Sequence, residues 1–205
     1  MTAPSARATR AFLIRAVRFL AAQGGVRQFL DIGVGLPAAG SANTHEVALA
    51  VSPRCRVLYM DNDPAVGSHV LARLTRGIDG AGYAEADLRR PEELLAAAAG
   101  KLDFTRPVAV MLIAVLHLIS DTEDPYGIVA RLMAAVPEGS YLMLCHPAPD
   151  EDPSDLRLVP NDCWFHLAPK APGKVTRSPA DAGHFMAHRR NRAFFDRRPH
   201  APFPR

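Results

Sequence analysis

Only three cysteines, Cys55, Cys145 and Cys163, occur among the 205 residues. An odd number at wide spacing frames no disulfide scaffold and makes no Cys-x-x-Cys knuckle, so no metal centre is expected. Long apolar runs are absent too. The longest, Val108 to Ile119, is about a dozen residues and is interrupted by His117, whereas a membrane span needs roughly 20. The opening MTAPSARATR contains no apolar leader, so a cytoplasmic chain with no membrane partner is expected. Lysine is scarce, three against 21 arginines. No arginine cluster falls on a predicted helix face, so the bias reads as codon usage and no nucleic-acid partner is expected. There is no Gly-x-Ser-x-Gly elbow, no P-loop and no His-Glu-x-x-His, which counts against the hydrolases and nucleotidases built on those motifs.

What remains is ordinary globular material, 48% apolar and 22% charged, of a length that suits about one domain. The charge is uneven. Residues 1–146 carry 14 basic and 14 acidic side chains, and residues 147–205 carry 10 and 7, so the net +3 belongs to the tail.

Residues 1–146 alternate between two periodicities. Arg7 to Gln23 has apolar positions at helical spacing, and Gly24-Gly25 stops it. Arg27–Ile32 reads as a strand entering a glycine turn. Asn43-Thr44 can cap a helix to about Val51. Arg56–Met60 is a strand closed by Asp61, and Asp63-Pro64 opens a helix ending near Thr75 or Arg76. Tyr83–Ala86 is a strand ending at Asp87. Helix 91–99 follows, then a continuous apolar strand from Pro107 to Leu116, as expected at the centre of a parallel sheet. A helix runs from Asp124-Pro125 to near Val136, and a fifth strand from Ser140 to Cys145. Five such alternations predict an α/β fold, a doubly wound, mostly parallel, Rossmann-like sheet.

In such sheets ligands bind outside the carboxyl ends of the strands. Those ends carry Asp31-Ile-Gly33-Val-Gly35, Asp61-Asn62-Asp63, Asp87-Leu88 and Ala114-Val-Leu-His117. The glycines admit a close backbone approach. An acidic residue after the second strand can accept both ribose hydroxyls, and one after the third can accept from an adenine amino group. Asp31, Gly33, Gly35, Asp61, Asn62, Asp87 and Leu88 are therefore the candidate cofactor-binding residues. Two cofactor classes use this scaffold. Gly33-Val-Gly35-Leu-Pro-Ala38 fits a dinucleotide fingerprint formally, but Pro37 removes an amide donor and the loop runs on to Asn43. Asp31 adds negative charge, which opposes a pyrophosphate and favours a cation such as S-adenosylmethionine, a sulfonium with an ammonium and one carboxylate. His117, at the mouth of the central strand, is the candidate catalytic base toward an acceptor hydroxyl or amine. His45 and Glu46 are weaker candidates for ligand contact. Asp121 and Asp124 read as helix caps, and Tyr59 and Phe29 as core.

Arg27-Gln-Phe-Leu-Asp-Ile-Gly-Val-Gly-Leu-Pro37, Asn43-Thr-His-Glu-Val-Ala48, Tyr59-Met-Asp-Asn-Asp-Pro64, Ala86-Asp-Leu-Arg89 and Ala114-Val-Leu-His117 resemble, in order and spacing, a bacterial family of S-adenosylmethionine-dependent methyltransferases once grouped as a domain of unknown function. The resemblance covers roughly residues 7–146. It implies a class I methyltransferase fold, with Asp31, Gly33 and Gly35 near the methionine part, Asp61 on the ribose and Asp87 by the adenine, acting on an unidentified small-molecule acceptor.

The chain also departs from that family. The usual upstream Tyr-Asp-Tyr-Leu-Leu-Gly-Gly-like segment is missing, Thr9 stands where asparagine is usual, and Ser41-Ala42 look inserted. After His146 ten of the 18 prolines crowd into 59 residues, periodicity is lost, and the two further strands of the family, the last antiparallel, have no evident counterpart. The expectation is thus a binding domain over 1–146, a Pro/Arg-rich extended or disordered tail over 147–205, and a sheet incomplete at its C-terminal edge, inviting self-association. A truncated or inactive enzyme is one reading of this. The alternatives are an NAD(P)-dependent Rossmann oxidoreductase or a non-catalytic cofactor-binding remnant.

Overall fold

Burial on both faces of β1, β2 and β4 builds the centre of the molecule. In a computed structural model describing residues 3–36, 42–147 and 163–170, the elements are α1 (Ala3–Ala22), β1 (Gln28–Ile32), α2 (Thr44–Val51), β2 (Arg56–Asp61), α3 (Pro64–Val70), β3 (Ala81–Glu85), α4 (Pro91–Ala99), β4 (Val108–Ile113), α5 (Pro125–Ala135), β5 (Tyr141–Pro147) and β6 (Cys163–Pro169). A π-helical turn, Leu71–Thr75, continues α3, and two 3-10 turns, Leu116–Leu118 and Asp121–Glu123, separate β4 from α5.

The sheet order is β3-β2-β1-β4-β5-β6. β1 to β5 are parallel and β6 is antiparallel to β5. Phe29, Tyr59, Ala109, Met111 and Met143 face a cluster with α1, α2 and α3, where Ala16, Val17 and Leu20 are wholly buried. Leu30, Ile32, Leu58, Met60, Val110 and Leu112 face the other way, toward Leu94 of α4 and Ile128 and Leu132 of α5. Each fully buried Leu, Ile, Phe or Met contributes roughly 1.5–3 kcal/mol, so this two-sided burial is what holds the strand ends in place.

The doubly wound expectation holds. Asp63 caps α3, its side chain accepting from the Ala65 amide at 2.8 Å, and Asp124 caps α5 through the Gly127 amide at 2.9 Å. β4 ends earlier than its apolar run. Ala114 turns left-handed at φ 56°, and the chain leaves the sheet there rather than at Leu116. One expectation is corrected. The edge of β5 is not bare, because residues 163–169 form β6 and pair with all of Tyr141–Pro147. The sheet therefore takes in residues beyond the boundary placed at 146. The rest of the expected tail, 148–162 and 171–205, lies outside the described residues. Among the described residues, no helix is long and apolar enough to cross a membrane, and no group of acidic, histidine or cysteine side chains is arranged to hold a metal.

Candidate functional site

Strand order reverses between β1 and β4, the point where open α/β sheets leave a crevice. The turns around it are tied to one another. The Gly33 amide donates to the Met60 carbonyl at 2.8 Å, the Gly35 amide to Asp61 Oδ2 at 3.0 Å, and the Ala86 amide to the Asp61 carbonyl at 3.1 Å. These bonds join the carboxyl ends of β1, β2 and β3. On the other side a Cβ at Gly33 would stand 2.3 Å from Val115 Cγ2, so the turns after β1 and β4 are in close contact.

The two glycines differ. Both have positive φ, +71° at Gly33 and +59° at Gly35, but among the described residues nothing lies within 4 Å of a Cβ built on Gly35. Gly33 is required by packing as well as by its φ, whereas at Gly35 only the φ favours glycine among the described residues. Asp61 is buried, and its carboxylate receives Gly35 on one oxygen and the Asp63 amide on the other, at 3.0 Å each. Asn62 is exposed beside it. Asp87 accepts the Arg89 amide on Oδ1 at 2.9 Å, and its Oδ2 takes no hydrogen bond among the described residues. The Leu88 amide likewise takes no partner among them, while the Leu88 side chain is buried against the α4 face. A free acceptor next to a free donor is the complement of an adenine edge, which offers an amino donor beside a ring-nitrogen acceptor.

Asp31 stands apart from the rim. It points to the α1–α2 face and accepts the Thr44 hydroxyl at 2.6 Å. Burial pushes its carboxyl from 3.8 up to about 6, against the pull of Thr44 and the Arg10 charge. Arg10 in turn donates to Asn43 Oδ1 at 3.0 Å. Tyr59 is indeed core, but polar core. Its hydroxyl accepts the His45 amide at 3.0 Å and lies 2.8 Å from His45 Nδ1, in a hydrogen bond whose donor is set by the imidazole tautomer. Burial pushes the Tyr59 hydroxyl up and holds the His45 imidazole neutral. His117 sits on the first 3-10 turn after β4, exposed, and partial burial of the ring lowers its pKa.

The sequence reading assigns no role to Arg10 or Arg89, and none to Thr44 beyond a helix cap. Arg89 does lie within a motif it singles out, Ala86-Asp-Leu-Arg89, and that was the available signal. Ala114 gave none. Its left-handed backbone, rare for a residue other than glycine, marks the end of β4 as a constrained site.

The wound sheet and its tied rim define the class: a Rossmann-like domain whose strand order reverses between β1 and β4. The chain belongs to the S-adenosyl methyltransferase family, whose model matches residues 1–197. That match continues well past residue 146, so the ground for reading 147–205 as outside the family falls away, and neither truncation nor inactivity gains support. Among solved structures, the chain is 42% identical to a DUF574 family protein from Streptomyces avermitilis MA-4680, over 69% of this chain and 55% of that one, with a TM-score of 0.63. It is 39% identical to a candidate methyltransferase from Thermobifida fusca YX, over 73% and 55%, with a TM-score of 0.66. The chain thus spans about half the length of these relatives. No curated protein matches it.

Proposed function

We propose that this chain binds S-adenosylmethionine at the carboxyl rim of β1 to β4 and serves methyl transfer to a small-molecule acceptor. The observation that carries the reading is how the rim amides are used. The amides of Gly33 and Gly35 are consumed by the Met60 carbonyl and the Asp61 carboxylate. A dinucleotide pyrophosphate needs such amides free and no carboxylate among them, so the oxidoreductase reading loses its anchor. A nucleoside bearing positive charge has the opposite needs. Asp61 and Asn62 are placed for the ribose hydroxyls, Asp87 Oδ2 and the Leu88 amide for the adenine edge, and the turn at Gly35 for the sulfonium end. Asp31 acts at longer range, as a buried acidic group behind that end.

When bound, the cofactor supplies an electrophilic methyl carbon on a sulfonium that leaves as a neutral thioether. The chain's own part is placement and exclusion of water, which can supply most of the rate without a strong base. Near neutral pH the His117 imidazole is unprotonated, because partial burial lowers its pKa. It takes the proton that an acceptor hydroxyl or amine gives up as the new O–CH3 or N–CH3 bond forms. Titration calorimetry with S-adenosylhomocysteine and NADH in parallel tests the reading. Saturable binding of S-adenosylhomocysteine alone is expected, and binding of NADH alone would reverse the assignment.

A further inference from the structure

Arg89 closes the Ala86-Asp-Leu-Arg89 motif without a role of its own in the proposed cofactor site, and its side chain contacts more than one turn of the rim. Its Nε donates to Glu123 Oε1 at 2.6 Å, its Nη2 to the Leu118 carbonyl at 3.0 Å, and its Nη1 lies 3.5 Å from Asp87 Oδ1. These are not neighbours in the sheet. β2 and β1 stand between β3 and β4, a separation of about 14 Å at strand spacing. One guanidinium therefore joins the turn after β3 to the two 3-10 turns after β4, spanning the cleft at its α4–α5 side.

The far anchor is itself fixed. Glu123 Oε2 accepts the Ser120 amide at 2.8 Å and the Ser120 hydroxyl at 2.7 Å, and these bonds with that of Arg89 lower its carboxyl to about 2. At any working pH the pair is ionised. Both partners are partly exposed, so the pair adds little to stability. Its geometric effect is larger. It fixes Asp87 Oδ1 toward Arg89, which leaves Oδ2 turned free, and it holds the turn that carries His117 and Leu118 at a set distance from Asp87.

We propose that Arg89 is a positioning residue that aims Asp87 at the amino edge of the adenine and couples occupancy of the nucleoside site to the acceptor-side turn through Glu123 and Leu118. The inference rests on the cofactor reading above. It is tested on the full chain by measuring affinity for S-adenosylhomocysteine and for S-inosylhomocysteine, in which an oxo group replaces the adenine amino group, alongside melting temperature. The unaltered chain should prefer the adenosyl ligand. Arg89→Lys and Glu123→Ala should each weaken that ligand by about fivefold to tenfold, the scale of one ordinary hydrogen bond, while the inosyl ligand changes little and the preference shrinks. Glu123 touches neither Asp87 nor the cleft floor, so its effect on base preference has to travel through Arg89. The inference is overturned if both variants keep the preference, or if both ligands weaken equally, the mark of a site merely loosened. If the unaltered chain binds neither ligand, the cofactor reading itself fails and takes this inference with it.

Discussion

At the scale of single residues, the site joins groups that pull stability and binding in different directions. Asp31 is the clearest. Its folded pKa is raised from 3.8 to about 6, so across that interval the folded chain keeps a proton that the unfolded chain has released. Stability therefore falls as pH rises from 3.8 to about 6 and stays reduced above. Asp31→Asn keeps an acceptor for Thr44 and removes the buried charge. The variant should be more stable than the parent at about pH 8, by about 1–3 kcal/mol, and the gain should vanish below about pH 4. Urea unfolding at the two pH values checks this, and an equal gain at both would mean that shape rather than charge decides. The rim glycines separate the same two effects. Gly33→Ala meets Val115 at 2.3 Å as well as a positive φ, and should lose about 2–4 kcal/mol. Gly35→Ala has only the positive φ against it, about 1–2 kcal/mol, yet its methyl enters the space proposed for the ligand. Melting curves paired with S-adenosylhomocysteine titration should show stability lost mainly at Gly33 and binding lost mainly at Gly35.

Among the elements, what could be read from the sequence is whatever is written locally. Asp63-Pro64 and Asp124-Pro125 announce helix starts because a cap acts within three residues, and both caps form. The five parallel strands are legible because two-sided burial demands unbroken apolar runs. The same rule misplaces the end of β4, since Ala114 is as apolar as its neighbours and nothing beside it signals a left-handed turn. β6 escapes for the opposite reason. It follows a stretch with no periodicity and gains its place from the backbone of β5, not from its own pattern. The rim divides in the same way. Gly33, Gly35, Asp61 and Asp87 are readable from their positions at strand ends. The partners that tune them are not, because Thr44 stands 13 residues from Asp31 and Glu123 stands 34 from Arg89.

At the scale of the whole molecule, β6 decides whether the sheet ends safely. β5 presents the uncharged run Tyr141-Leu-Met-Leu-Cys145, four of whose five residues are buried. Unpaired, such a strand is a template for another chain. β6 satisfies it along seven residues, and the Lys170 amide adds a bond to the Ser140 carbonyl at 2.7 Å just past the ladder. The association expected of this chain from its sequence is thereby moved to a shortened one. A chain ended at Pro147 keeps every residue of the proposed cofactor site but uncovers the inner edge of the sheet. Its scattering mass should climb with concentration beyond that of the full chain at equal concentration. If the shortened chain matches the full chain in light scattering, β6 is not what protects β5, and the sheet must be closed by residues on some other face.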